Sequence, residues 1–163
     1  AIVATRHLIG QGATRIATVT GPMDMNAGHA RRQGFETAIT DAGLSPAGIA
    51  EGDFTARGGE LAARQLLDRA PDLDGLFVAS DLMALGVLRT LRRAGRRVPD
   101  DVRVVGFDNS TAALQASPQL TTMTNPPSEL ARIAGEMLLG LLSGVAPTSP
   151  VILTSELIVR NSA

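Results

Sequence analysis

Apolar positions along the chain fall into two alternating patterns, short β-rich runs and longer stretches at helical spacing. That rhythm predicts a parallel sheet with crossover helices. Residues 1–10 read as a helix ending near Gly10 and Gly12. Residues 15–20 read as a strand closed by Gly21-Pro22, and a helix follows over about 27–42, stopped by Gly43 at a C-terminal cap position. A short strand over 49–53 leads to a helix over 58–70, which carries Leu61, Ala62, Gln65 and Leu66 and ends at Pro71. The continuous apolar run 76–79 reads as a fully buried strand. Asp81 opens a helix through Leu82, Leu85, Leu88 and Leu91, and 102–107 is the next strand. The rhythm then loosens. Residues 109–119 read as a loop or short helix, 120–123 as a short strand, and 127–142 as a long helix introduced by Pro126 and Pro127. After a loop from Gly144 to Pro150, residues 151–159 read as a last strand. No internal repeat or low-complexity stretch interrupts the series.

Composition narrows the class. With 163 residues, 44% hydrophobic and 19% charged, the chain suits one globular domain with a sizeable core. No apolar run approaches the roughly 18 residues needed to span a bilayer. The first residue is Ala1, with no signal-peptide layout after it, so the chain is expected to be a piece of something longer. The absence of cysteine removes disulfides, thiolate metal sites and cysteine nucleophiles, and suits a reducing compartment. A net charge of −1 provides no strong field for nucleic acid or anionic lipid. All 15 basic residues are Arg, which a compositional bias explains.

In open parallel sheets ligands sit beyond the carboxyl ends of the strands. After the first strand stand Asp24, Asn26 and His29, with Arg31 in the first turns of the next helix. After the second come Asp53 and Phe54, after the third Ser80 and Asp81, after the fourth Asp108 and Asn109, and after the fifth Asn125. Carboxylates accept hydrogen bonds from adjacent hydroxyls, a guanidinium donates two in a fixed fork, and an aromatic ring covers the C–H face of a sugar. The inventory therefore suits a polyhydroxylated ligand. Plainer readings stand beside it: Asp81 as a helix cap, Asp24 and Asp53 as turn residues, Phe54 as core and Arg31 as a solvated helix residue.

Enzymatic readings are weaker. A hydrolase drawn from Ser80, His29 and Asp108 lacks the G-x-S-x-G elbow. A phospho-acceptor domain would be expected to use a Lys that this chain does not have. No phosphate-binding glycine loop follows a strand, and a single His among scattered carboxylates has no metal-site spacing. No catalytic residue, metal or cofactor is expected.

Several stretches carry a family resemblance in their order and spacing. They include Arg31-Arg32-Gln33-Gly34-Phe35, Gly52-Asp53-Phe54-Thr55, Ser80-Asp81-Leu82-Met83-Ala84-Leu85-Gly86 and Arg97-Val98-Pro99-Asp100-Asp101-Val102. Val105-Gly106-Phe107-Asp108-Asn109, Leu120-Thr121-Thr122 and the ending Glu156-Leu157-Ile158-Val159-Arg160-Asn161-Ser162 complete the series. On these the chain resembles the lactose-repressor (LacI/GalR) family of transcriptional regulators over essentially its whole length. The resemblance implies an α/β fold with a doubly wound parallel sheet, periplasmic-binding-protein-like (type I). Residues 1–123 and 151–160 would build the C-terminal lobe, and 124–150 would belong to the N-terminal lobe. Most of that lobe and the helix-turn-helix headpiece would be absent.

The family's effector-contacting positions fall on Arg31, Phe54, Ser80, Asp108 and Asn125, which coincide with the strand-end inventory. Ser80 and Asn125 depart from the residues many members carry there, Asn and Gln or another long polar group. The implied effector is a sugar or polyol, operator DNA is reached only through the absent headpiece, and the location is cytoplasmic with no membrane partner. A periplasmic sugar-binding protein shares the architecture and is the alternative. The resemblance also implies a homodimer. The helix from Leu82 to Leu91 has apolar residues on more than one face, so Met83, Leu85 and Val87, with Leu114 in the following loop, are expected at a dimer interface. Packing of Met83 and Val87 on helices of the same chain is the other explanation.

Overall fold

The computed structural model of the chain describes residues 1–145 and 149–163. Among the described residues six helices and six strands succeed one another. They are α1 (Ile2–Gly10), β1 (Ile16–Thr20), α2 (Asn26–Asp41), β2 (Gly48–Glu51), α3 (Ala56–Arg69), β3 (Gly75–Val78), α4 (Asp81–Arg93), β4 (Arg103–Asp108), α5 (Thr111–Gln115), β5 (Thr121–Thr124), α6 (Pro127–Leu142) and β6 (Leu157–Ile158). The strands form one sheet in the order β2-β1-β3-β4-β5-β6. β1 to β5 pair in parallel, and β6 joins β5 antiparallel through Thr122 opposite Ile158 and Met123 opposite Leu157. The doubly wound sheet expected from the sequence is present, with one antiparallel edge.

Alternation along each buried strand builds two cores. Ile16, Phe77 and Val105 face α1 and α2, where they meet Leu8, Phe35 and Ile39. Their neighbours Ala17, Leu76, Val78 and Val104 face the other way, onto Leu66 of α3 and Met83, Val87 and Leu91 of α4. Both faces are therefore covered, as the continuous apolar runs of parallel strands require. α3 and α4 cross in unusually close contact. A Cβ on Gly86 would overlap the carbonyl oxygen of Ala56, and a Cβ on Gly59 would overlap that of Met83.

Three expectations need correction. Met83 and Val87 are not surface residues: both are fully buried within this chain, because α4 is flanked by the sheet, α3 and α5 at once. Leu85 stays half-buried, while Leu82 and Leu114 are exposed. The last strand is confined to Leu157–Ile158 rather than 151–159, since Thr124, with which Glu156 bonds, is the final residue of β5 and leaves nothing to pair with beyond it. Ile152 is accordingly 85% exposed. Finally, α3 begins two residues before its expected start, at Ala56, because the Thr55 hydroxyl caps it by accepting from the Gly58 N–H at 3.0 Å.

α6 stands apart. None of its residues is buried, and Leu130, Leu138, Leu139, Leu141 and Leu142 are all exposed. Residues 146–148 of the loop after it lie outside the described residues. Among the described residues no helix is long and apolar enough to cross a membrane.

Candidate effector site

The carboxyl edge of the sheet gathers the predicted residues because each follows a strand or opens the helix after one. Arg31 projects from the second turn of α2. Its Nη1 donates to the Ala79 carbonyl at the end of β3, and its guanidinium lies 3.9 Å from the centre of the Phe107 ring and 5.8 Å from that of Phe54. Stacking against aromatic faces holds the cation while leaving its edge free to donate. Arg31 Nη2 stands 3.7 Å from Asp108 Oδ1, an ionic contact too long for a good hydrogen bond. That same oxygen accepts from Asn125 Nδ2 at 3.2 Å.

Phe54 occupies the left-handed region, at φ 62°. Bulky residues avoid that region unless their surroundings hold them there. The tip of the ring abuts Gly21, where any Cβ would strike it. Ser80, not Asp81, is the N-cap of α4: its hydroxyl oxygen accepts from the Met83 N–H at 3.2 Å. Ala27, Arg31, Phe54, Ser80, Leu82 and Asp108 together line an open cleft of about 320 Å³. Four of the five expected effector residues thus face one space, and Asn125 reaches it through Asp108.

Other strand-end residues do different work. Asp53 turns inward on its own loop, accepting from the Thr55 N–H at 2.9 Å and the Thr55 hydroxyl at 2.7 Å. Asp24, Asn26 and His29 are exposed and do not line the cleft. Asp81, read from the sequence as a possible cap, is fully buried. Its Oδ2 accepts from the Ser110 N–H (2.7 Å) and hydroxyl (3.1 Å), and its Oδ1 from the Thr122 hydroxyl (2.6 Å). It ties the loop after β4 to α4 and β5. Phe107 is a residue that the strand-end inventory does not contain. Its place one step before Asp108 in an apolar run resembles a core position, and only the three-dimensional stack with Arg31 sets it apart.

Electrostatics follow from burial. Removal from water pushes Arg31 below its ordinary value, and Asp108 and Asp81 partly restore it. Burial likewise raises Asp108, while Arg31 and the Asn125 bond pull it back. Asp81 is raised by burial against the opposing Thr122 and Ser110 bonds. The cleft therefore holds one cation and one carboxylate in poor mutual contact, both short of partners that a polyol would supply. A larger cleft of about 380 Å³ lies at the far end of α4. Its arginines are already spent: Arg92 on the Ser117 carbonyl, Arg96 on Pro71 and Leu73, and Arg97 on Asp101. Among the described residues no group of three His, Asp or Glu side chains could hold a metal ion.

The fold is that of the periplasmic-binding-protein-like (type I) class, a doubly wound parallel sheet with its polar residues gathered at the carboxyl edge. Residues 5–163 match the family described as a periplasmic binding protein-like domain. The chain is 47% identical over 163 residues to the HTH-type transcriptional regulator CelR of Thermobifida fusca, spanning 98% of this chain and 48% of that protein. The structure of a transcriptional regulator CelR–cellobiose complex superposes with a TM-score of 0.95 at 46% identity, covering 99% of this chain and 50% of the other. The lac repressor dimer bound to operator and the anti-inducer ONPF gives 0.93 at 30% identity, over 99% and 50% respectively. The chain belongs to the periplasmic binding protein-like domain family, in its LacI/GalR branch. It spans about half the length of the curated relatives it matches.

Proposed function

We propose that this chain is the effector-binding and dimerisation part of a LacI-type transcriptional regulator, and that it binds ligand rather than catalysing a reaction. The observation that carries the reading is the strand-end cleft, where Arg31, Phe54, Ser80 and Asp108 converge. Arg31 and Asp108 are its polar anchors, Phe54 the wall for a sugar face, and Asn125 the residue that orients Asp108. The similarity to a CelR–cellobiose complex makes cellobiose the first ligand to try. The relatives found are regulators, which favours this reading over a periplasmic transport component.

Residues 1–123 and 151–160 form the C-terminal lobe, and 124–150 belong to the other lobe. The uncovered leucines of α6 support that division, because an apolar helix face of this size calls for a partner sheet or helix. The lactose-repressor relative is a dimer on operator. A homodimer here would pair the outer face of α4 and α5, where Leu85 and Leu114 remain available. DNA contact would fall to a headpiece outside this chain, and the working location is the cytoplasm.

The test is calorimetry of the full-length protein with cellobiose. Asp108→Ala should weaken binding by about 1.5–3 kcal/mol, the scale of a hydrogen bond to a charged group, or roughly 10- to 150-fold. A folded variant with unchanged affinity removes Asp108 from the site.

A further inference from the structure

The turn that presents Asp108 has a conformation its residues do not favour. Asp108 and Asn109 are consecutive non-glycine residues at φ 113° and 51°. Such backbone persists only where surrounding contacts over-determine it. The contacts come from three directions. The Asn109 N–H donates to the Thr122 hydroxyl at 3.4 Å, a long bond. Ser110 is fastened to Asp81 through both its N–H and its hydroxyl. The Asn109 side chain is held by Arg160, whose Nη2 donates to Asn109 Oδ1 at 2.7 Å.

Arg160 is well placed to serve as this clamp. Its Nη1 donates to the Leu120 carbonyl at 2.7 Å, and its N–H to the Thr121 hydroxyl at 2.9 Å. One guanidinium thus bridges the turn after β4 and the start of β5. The backbone beneath it is fixed separately. Ser162 is fully buried, donates its hydroxyl to the Val104 carbonyl at 2.6 Å and accepts from the Thr121 N–H at 2.9 Å. Loss of the Arg160 side chain therefore leaves the terminal segment anchored. Arg160 does not line the cleft.

We propose that Arg160 is a positioning residue for ligand recognition: its guanidinium, acting through Asn109 Oδ1, holds the left-handed turn that aims the Asp108 carboxylate into the cleft. The proposal rests on the ligand-binding reading of that cleft. It places the clamp on the segment that returns from α6, so one side chain separates that segment from the ligand-facing carboxylate.

Two measurements on the full-length protein test it. Arg160→Met keeps the aliphatic length and removes the donors. Without any ligand, amide exchange at Asn109 and Ser110 should speed up by roughly tenfold, the scale of one charged hydrogen bond, while Val105 in the centre of the sheet stays protected. Cellobiose titration should show about tenfold weaker binding in the same variant, with Arg160→Lys between it and the wild type. In an Asn109→Gly background, where glycine takes the positive φ freely and offers no acceptor, Arg160→Met should change affinity less than about twofold. An equal loss in both backgrounds means that Arg160 does not act through Asn109, and overturns the proposal. So does unchanged exchange at Asn109 and Ser110. Failure of the wild type to bind cellobiose refutes that ligand, and the exchange measurement still decides the role of Arg160. Should Arg160→Met not fold, Asn109→Ala cuts the same contact from the other side without relieving the positive φ; unaltered Ser110 exchange in that variant refutes the clamp.

Discussion

Gly86→Ala isolates the contact that seats α4, and with it Ser80 and Leu82 of the cleft. Two effects of opposite sign meet at this position. Replacing a mid-helix glycine by alanine gains about 1 kcal/mol of helix propensity. Against this, the new Cβ would overlap the Ala56 carbonyl oxygen and stand 2.7 Å from the Glu60 nitrogen, both on the backbone of α3. Backbone cannot rotate away as a side-chain tip can, so the helices must separate, and the cost falls at the upper end of what overpacking brings, roughly 2–3 kcal/mol. Gly59 makes the reciprocal approach to the Met83 carbonyl, so the two helices have no free direction in which to slide. The expected net is a loss of about 1–2 kcal/mol, or a fall in melting temperature of roughly 2–8 °C for a protein of this size. Gly10→Ala is the control. It is helical, exposed and has no atom within 4 Å of the added Cβ, so the same substitution should leave stability unchanged or raise it by up to about 1 kcal/mol. Urea denaturation of both variants reads the difference. A Gly86→Ala protein as stable as the Gly10→Ala protein would refute the close-crossing account.

Other outcomes follow from the same structure. Leu85→Asp should convert the full-length protein from dimer to monomer in sedimentation with native circular dichroism, whereas Met83→Ala should leave the dimer intact and cost about 2–5 kcal/mol of stability, as core truncations do. Asp101 is held at about 2, chiefly by its hydrogen bonds from the Arg97 guanidinium and N–H. Its folded value lies below the unfolded one, so its contribution is present above about pH 4 and lost as pH falls towards about 2; the stability difference between wild type and Asp101→Asn should shrink across that window in acid titrations. The chain alone, at net charge −1, should not retard operator DNA in mobility-shift assays at moderate salt, and sequence-selective retention would contradict the assignment of DNA contact to a headpiece outside it.

What could be read from the sequence was what depends on local pattern and topology together. Alternating elements imply a parallel sheet, a parallel sheet implies a working edge, and the residues after its strands can then be named without coordinates. Arg31, Phe54, Ser80 and Asp108 meet in one cleft for that reason. Misreadings arose where a residue's role is set by a neighbour distant in sequence. A carboxylate at position 81 suits a helix cap, but Ser80 takes the cap, and the partners of Asp81 lie 29 and 41 positions away, at Ser110 and Thr122. An apolar Met83 and Val87 beside the leucine row suit either an interface or packing within the chain, and a crossover helix that buries a single stripe favours the interface. Gly59 and Gly86 let α3 approach so closely that α4 buries a second stripe within the chain. A glycine carries no hydropathy signal, yet these two decide which side of α4 is core.

The same reasoning explains why α6 is the element whose existence was plainest and whose partner was invisible. Its apolar spacing fixes a helix over Pro127–Leu142, but every side chain on it remains accessible among the described residues. Periodicity reports that a face must be covered and says nothing of what covers it. Among the described residues, α6 and the 151–156 segment, where Val151 and Ile152 are also exposed, form an apolar surface without a partner in this chain. Immediately beyond that segment, β6 and the Arg160 and Ser162 contacts lock the chain back onto β4 and β5. The chain leaves the sheet for α6 from Asn125, which donates to the Asp108 carboxylate, and comes back at Arg160, which grips the turn after Asp108, so both ends of the departure touch the segment that carries Asp108. On the proposed reading of the cleft, whatever covers α6 is connected to Asp108 through two side chains, and a shift of that cover has a short mechanical route to the proposed ligand anchor.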